Sequence, residues 1–154
     1  MDCTVKTERL VISPLSDDEM RGLIEREDSP EMKQAYSEML AGCLAHPSLR
    51  IWNAVWLMRL SDSGEAVGDL CFKGLGEDGM VEIGYGMKPE FEGRGLMTEA
   101  VRAMCRWASV QEGVSCVEAE TDPGNAASQR VLEKAGFEPL GIDGEEGPRF
   151  IYKG

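Results

Sequence analysis

At 154 residues the chain has the size of one compact domain, which hides roughly 70% of the surface its unfolded chain would expose. Its 42% apolar and 29% charged residues exclude a disordered or fibrous protein, and the longest apolar run, Ala54 to Met58, is far short of the ~20 residues of a membrane span. Lys and Arg number 16 against 28 Asp and Glu, a net charge of -12 that opposes phosphate neutralisation; this argues against nucleic acid and favours cationic or amine-bearing ligands.

Met1 to Lys6 lack the basic-then-apolar pattern of a leader, so a cytoplasmic protein without a membrane anchor is expected. Arg9 to Ser13 reads as a strand ended by Pro14, and Ser16 caps a helix from about Asp17 to Glu27 whose first turn is acidic. Ser29 and Pro30 open a second helix, carried by Met32, Ala35, Tyr36, Met39, Leu40 and Cys43 at helical spacing. From Trp52 the period changes. Trp52 to Leu60 and Ala66 to Phe72 read as strands joined by the turn Ser61 to Gly64. Met80 to Met87 is a further strand, with bulky Val81, Ile83, Tyr85 and Met87 on one face and Glu82, Gly84 and Gly86 on the other. A helix begins near Arg94 with Met97, Val101, Met104 and Ala108 on one stripe. Val114 to Glu120 is a strand, Asn125 caps a helix to Ala135 that Gly136 stops, and Phe137 to Leu140 and Arg149 to Tyr152 are the final strands. No repeat or linker divides the chain, so residues 1–154 are expected to form one unit.

Several chemistries find little support. The cysteines, Cys3, Cys43, Cys71, Cys105 and Cys116, form no close pair, and with His46 as the one histidine neither a metal site nor a His-based nucleophile system is expected. Gly74 to Gly79 fits G-x-G-x-x-G in letter, but a strand follows it, and Glu77 and Asp78 would repel a phosphate; it reads as a hairpin turn. Glu92-Gly93-Arg94-Gly95-Leu96-Met97-Thr98 differs, because its glycines stand where a strand turns into a helix. Unpaired N–H groups and the positive end of the helix dipole make an anion site there without a net positive charge. A plain turn with glycines for clearance is the alternative. Asn125 and Ser128 fit a helix cap, and Glu82 is either an exposed strand carboxylate or a buried base.

Taken in order, Thr7-Glu8-Arg9-Leu10, Glu65-Ala66-Val67-Gly68, Glu82-Ile83-Gly84-Tyr85, Gly93-Arg94-Gly95-Leu96-Met97-Thr98-Glu99-Ala100, Asn125-Ala126-Ala127-Ser128 and Glu133-Lys134-Ala135-Gly136-Phe137 resemble the GNAT acetyltransferases, most of all their ribosomal-protein N-acetyltransferase branch. The resemblance implies a mixed α/β fold, with a mostly antiparallel twisted sheet of about seven strands flanked by about four helices. It implies acetyl-CoA as co-substrate, held by Met87, Lys88, Glu92, Gly93, Arg94, Gly95, Leu96, Met97, Thr98 and Asn125, with the pyrophosphate on the loop amides. Glu92 stands where Arg, Gln or an aromatic is usual, Met97 where a small residue is usual, and Leu132 where many members carry a tyrosine.

Acetyl transfer to a primary amine then needs a base, an oxyanion donor and an acid for the thiolate. The expectation places Glu82 as base, its carboxyl raised from ~4.3 toward ~6–7 by burial, a backbone N–H near Met87 at the oxyanion, and Ser128 as acid. The acceptor is expected to be cationic: a protein N-terminus or a small amine. A non-catalytic acyl-CoA sensor or an interaction domain of the same fold stays open, as does a homodimer through exposed sheet edges.

Overall fold

The computed structural model describes residues 3–154. Capping of the sequence-local kind sets the helix starts. Ser16 Oγ accepts from Glu19 N at 3.1 Å while Ser16 N donates to Glu19 Oε1 at 2.9 Å, a reciprocal box that opens α1 (Asp17–Arg26). Ser29 caps α2 (Pro30–Ala45), with Pro30 in the first turn. Asn125 Oδ1 accepts from Ser128 N at 3.0 Å to open α4 (Ala126–Ala135), and Gly136, at φ 104°, ends it in the left-handed conformation. The remaining helix, α3 (Leu96–Ser109), has no side-chain cap.

Among the described residues eight strands form one sheet: β1 (Val5–Lys6), β2 (Leu10–Pro14), β3 (Val55–Leu60), β4 (Ala66–Leu75), β5 (Met80–Met87), β6 (Cys116–Glu120), β7 (Phe137–Asp143) and β8 (Pro148–Tyr152). Their spatial order is β1-β2-β3-β4-β5-β6-β8-β7, antiparallel except for the parallel pair β5 and β6. Alternation divides the side chains between two cores. Trp56, Met58, Val81 and Ile83 pack with Ala100, Val101, Met104 and Ala108 of α3 and Leu132 of α4. On the opposite face Val55 and Ala54 join Leu15, Met20, Tyr36 and Cys43 of the α1–α2 pair.

The expected mixed fold is the observed one, with differences at element ends. The strand expected from Trp52 starts at Val55, because residues 47–52 form a 3₁₀ turn closed by Asn53 N and Ala54 N on Arg50 O at 3.0 and 2.9 Å. That turn sets the Trp52 ring 5.1 Å from Phe72 and 5.3 Å from Trp107, contacts no local pattern specifies. β4 continues past Phe72 to Leu75 through a register shift, with Gly74 at φ 81°. β6 starts at Cys116 because Val114 N turns back to Gln111 O. The two-residue β1 is an eighth strand, pairing Val5 with Ile12.

Candidate functional site

The sheet opens at its one parallel pair. β5 and β6 are paired through Met80, Val81 and Glu82 against Cys116, Val117 and Glu118, and the ladder ends there, leaving the Ile83–Met87 half of β5 without a strand partner on that side among the described residues. Unpaired strand edges and helix N-termini are the places where backbone donors and acceptors stay available to a ligand. The chain supplies both at one place, because β5 leads through Pro89–Phe91 into the N-terminus of α3.

That N-terminus is held from a distance. Thr7 Oγ1 donates to Glu99 Oε2 at 2.5 Å, Arg9 N donates to the same oxygen at 2.9 Å, and Arg9 Nε meets Glu99 Oε1 at 2.8 Å. Arg9 Nη1 also donates to Arg94 O at 2.9 Å, tying the loop itself. Burial pushes the Glu99 carboxyl up, but the bonds from Thr7 and from the Arg9 backbone and side chain outweigh it, so it lies below its ordinary value. Gly93 and Gly95, at φ 78° and 77°, turn the backbone into α3, whose first-turn N–H groups have no side-chain cap.

A cavity of about 400 Å³ lies against these groups. Of the residues expected at the cofactor, Met87, Glu92, Gly93, Gly95, Leu96, Met97, Thr98 and Asn125 line it, as does Ser128. Lys88 and Arg94 do not. Lys88 borders a second cavity, and the Arg94 guanidinium lies 5.3 Å from the Phe91 ring centroid. Arg130 and Lys134, which no motif singles out, also line the first cavity and bring positive charge to the space that Glu92 borders. Their four-residue spacing on one face of α4 was the available signal. Tyr85 stands on the bulky face of its strand and carries no expected role in the site. Its hydroxyl lies 2.9 Å from Ser128 Oγ on the cavity wall, and burial raises its pKa although the bond to Ser128 opposes the rise. At neutral pH the pair therefore carries two O–H groups. Burial likewise raises the thiols of Cys43, Cys71, Cys105 and Cys116, Cys71 to about 11 and Cys105 to about 12, so none of these four is a thiolate nucleophile.

The second cavity, about 820 Å³, lies between α1, α2 and the sheet, with Leu15, Leu23, Met32 and Leu57 as apolar wall. Gly86 and Met87 line both cavities. Gly68 makes their packing possible: a Cβ there would collide with Gly86 O and sit 2.9 Å from Met58 Cε.

Glu82 differs from expectation. Rather than an isolated buried carboxylate, it meets Lys73 Nζ at 2.8 Å and Arg149 Nη1 at 3.1 Å, and among the described residues it lines neither cavity. Arg149 also binds Glu118 at 3.0 Å and Glu120 at 2.6 Å, so the carboxylate belongs to a charge cluster that joins β4, β5, β6 and β8. Burial lowers the Arg149 pKa, and the hydrogen bonds to Glu120, Glu118 and Glu82 more than reverse this. No such network was readable from a lone Glu in a strand.

Residues 8–138 match the acetyltransferase (GNAT) domain family. The chain belongs to the GNAT family. Among curated relatives, an uncharacterized N-acetyltransferase, YjdG, of Bacillus subtilis (strain 168) is 36% identical over 83 residues, which are 53% of this chain and 49% of that protein. A probable N-acetyltransferase, YjcK, of the same organism is 45% identical over 60 residues, 39% of this chain and 33% of that one. This GNAT chain thus matches about half or less of the length of these relatives. Among solved structures, an acetyltransferase from Agrobacterium tumefaciens str. C58 superposes with a TM-score of 0.73 at 23% identity, covering 99% of this chain and 95% of that one. RimL, a ribosomal L7/L12 alpha-N-protein acetyltransferase solved in complex with coenzyme A, superposes at 0.72 with 16% identity, covering 97% and 96%. At these identities the likeness is one of fold. No helix of the described residues is long and apolar enough to cross a membrane.

Proposed function

We propose that this GNAT protein transfers the acetyl group of acetyl-CoA to a primary amine by direct attack, with both substrates bound together. The observation that carries the reading is that two cavities meet at one stretch of backbone, Gly86–Met87, and that one of them ends on the uncapped N-terminus of α3. A pyrophosphate suits that terminus, since uncapped N–H groups and the helix dipole bind anions with no net positive charge on the protein. Arg130 and Lys134, which line the same cavity, offset the charge of Glu92. Pantetheine carries amide groups and suits the unpaired half of β5, where Tyr85 and Met87 face the cavity.

The residues then divide the reaction. The unpaired backbone near Met87 supplies the N–H for the tetrahedral oxyanion, an interaction worth ~3 kcal/mol in comparable sites. The Ser128–Tyr85 hydroxyl pair supplies the proton for the departing thiolate, Tyr85 keeping the pair protonated. Leu132, where many relatives carry a tyrosine, is fully buried, so Tyr85 reaches the cavity from the strand instead. Glu82 enters the proposal as a brace of the sheet rather than as the base. Holding both reactants in place can itself supply ~7–11 kcal/mol of the barrier.

Calorimetric titration with acetyl-CoA and with CoA, followed by CoA release in the presence of amines, tests the reading. Micromolar binding with amine-dependent release is expected. Binding without release from any amine would return the sensor reading, and no binding would overturn the cofactor cavity.

A further inference from the structure

The second cavity carries a carboxylate that neither the family pattern nor the charge cluster accounts for. Asp69 lies on β4 directly across from Gly86 of β5. Its Oδ2 accepts from Tyr36 Oη at 2.9 Å. Its Oδ1 faces the other way: a Cβ on Gly86 would stand 4.0 Å from it, and among the described residues no protein donor reaches it. The contrast with Glu82 is one of partners. Glu82 has two cations within ion-pair distance, whereas Asp69 has none among the described residues, although it lines a cavity that mixes apolar Leu15, Leu23, Met32 and Leu57 with charged groups at its edges. A partly buried anion without a counter-charge is unfavourable by itself, and a cationic ligand supplies what is missing. The position adds a second constraint, since Gly86 borders both cavities and Asp69 therefore stands where an acceptor in one meets an acyl group in the other.

We propose that Asp69 is the acceptor-binding base: its open Oδ1 binds the ammonium of a primary amine with an apolar body, and takes a proton from it as the nitrogen attacks the acetyl carbon beside Gly86–Met87. This deepens the acetyltransferase reading and rests on it. The N–H bond breaks toward Asp69, the nitrogen lone pair forms the C–N bond, and the C–S bond breaks with its electron pair on sulfur. Of the three ammonium protons, one leaves through Asp69 to solvent, one replaces the proton that Ser128–Tyr85 gives the thiolate, and one stays on the amide. Tyr36 lines the same cavity, but its hydroxyl is committed to Asp69 Oδ2; acting through that bond, it is a positioning residue.

Burial holds the Asp69 carboxyl above its ordinary value, with the Tyr36 hydrogen bond opposing the rise and the Glu27 charge adding to it. The other groups facing this cavity are Cys71 on β4 itself, Asp18, Glu19 and Arg26 on α1, and Arg59 and Lys88 on the sheet side; β5 presents Gly86 and Met87, and β3 presents Leu57. A base with a raised pKa is closer to the ammonium it must deprotonate, and this favours the transfer.

The test measures kcat/KM for 2-phenylethylamine and for Ala-Phe-Ala amide by CoA release at about pH 6 to 9, in wild type, Asp69→Asn and Tyr36→Phe, with acetyl-CoA affinity measured on each. Ratios of wild type to variant at each pH cancel the titration of the amine itself. Asp69→Asn is expected to lose ~10²–10⁴-fold in kcat/KM for the amine, to keep the wild-type affinity for acetyl-CoA, and to lose its acidic limb. Tyr36→Phe keeps the limb but moves it to higher pH, since it removes a hydrogen bond that favours the carboxylate. The two amines separate a small-molecule from a peptide acceptor. An Asp69→Asn enzyme within about threefold of wild type at all pH values, with acetyl-CoA bound normally, would overturn the inference while leaving acetyl transfer intact. Acetyl-CoA binding with no release from either amine would overturn the amine cavity, and loss of acetyl-CoA binding in wild type would overturn the reading beneath it.

Discussion

Gly95→Glu probes the anion site most directly, and its effect separates into two parts. Gly95 has φ 77°, so an L side chain there costs about 1 kcal/mol of backbone strain whatever its charge. Space is not the difficulty, since the nearest atom to its Cβ would be Arg9 Nη2 at 3.5 Å, an ordinary contact. For a domain of this size the strain lowers Tm by about 2–4 °C. The second part is electrostatic. A carboxylate roughly 5 Å from a bound phosphate charge is repelled by about 0.8 kcal/mol at the dielectric of water and about 3.3 kcal/mol at an effective value of 20. Affinity for acetyl-CoA should therefore fall between about 4-fold and about 250-fold. Gly95→Gln carries the same strain and bulk without the charge. Calorimetric titration of both variants at about 0.05 M and 0.5 M salt isolates the charge term, which shrinks as the Debye length falls. Equal weakening by Glu and Gln, unaffected by salt, would refute an anion at this terminus.

Ser128→Ala and Tyr85→Phe should each lower kcat by less than about 100-fold, because one hydroxyl of the pair remains, and the double variant should approach ~10²–10⁴-fold with little change in KM for acetyl-CoA. Additive losses in steady-state kinetics would show that the two hydroxyls act independently. Glu99 sits below its ordinary value, so its contribution to stability is present above the unfolded pKa and lost as pH falls through the folded one. Glu99→Gln should lower Tm at pH 7, and its gap from wild type should close below about pH 4 in thermal melts; a gap constant with pH would contradict the cluster's electrostatic role. Glu82→Gln leaves Lys73 and Arg149 with fewer anions and should cost about 1–2 kcal/mol in denaturant melts, while the acidic limb of the amine pH profile persists. Disappearance of that limb would return the base to Glu82.

What was readable in advance was whatever the chain settles within a few residues of itself. Ser16 and Glu19, Ser29 and Pro30, and Asn125 and Ser128 satisfy helix termini locally, so spacing alone located α1, α2 and α4. Gly93 and Gly95 were legible for the same reason, because a strand that turns at once into a helix needs the backbone conformation that glycine adopts freely. The ordered motifs added the family, and with it the mixed sheet. Tertiary structure decided the rest, through contacts between residues far apart in sequence. Thr7 and Arg9 reach Glu99 some 90 residues away, a contact that no local signal in either segment announces. Glu82 in its strand looked like a base and is braced by Lys73 and Arg149. Asp69 lies in the expected strand Ala66 to Phe72 with no local signal of a role; Tyr36, 33 residues earlier, holds one oxygen, and the register of β4 on β5 sets the other beside Gly86. A carboxylate's chemistry depends on its burial and on the charges around it, and both arise only when distant segments pack.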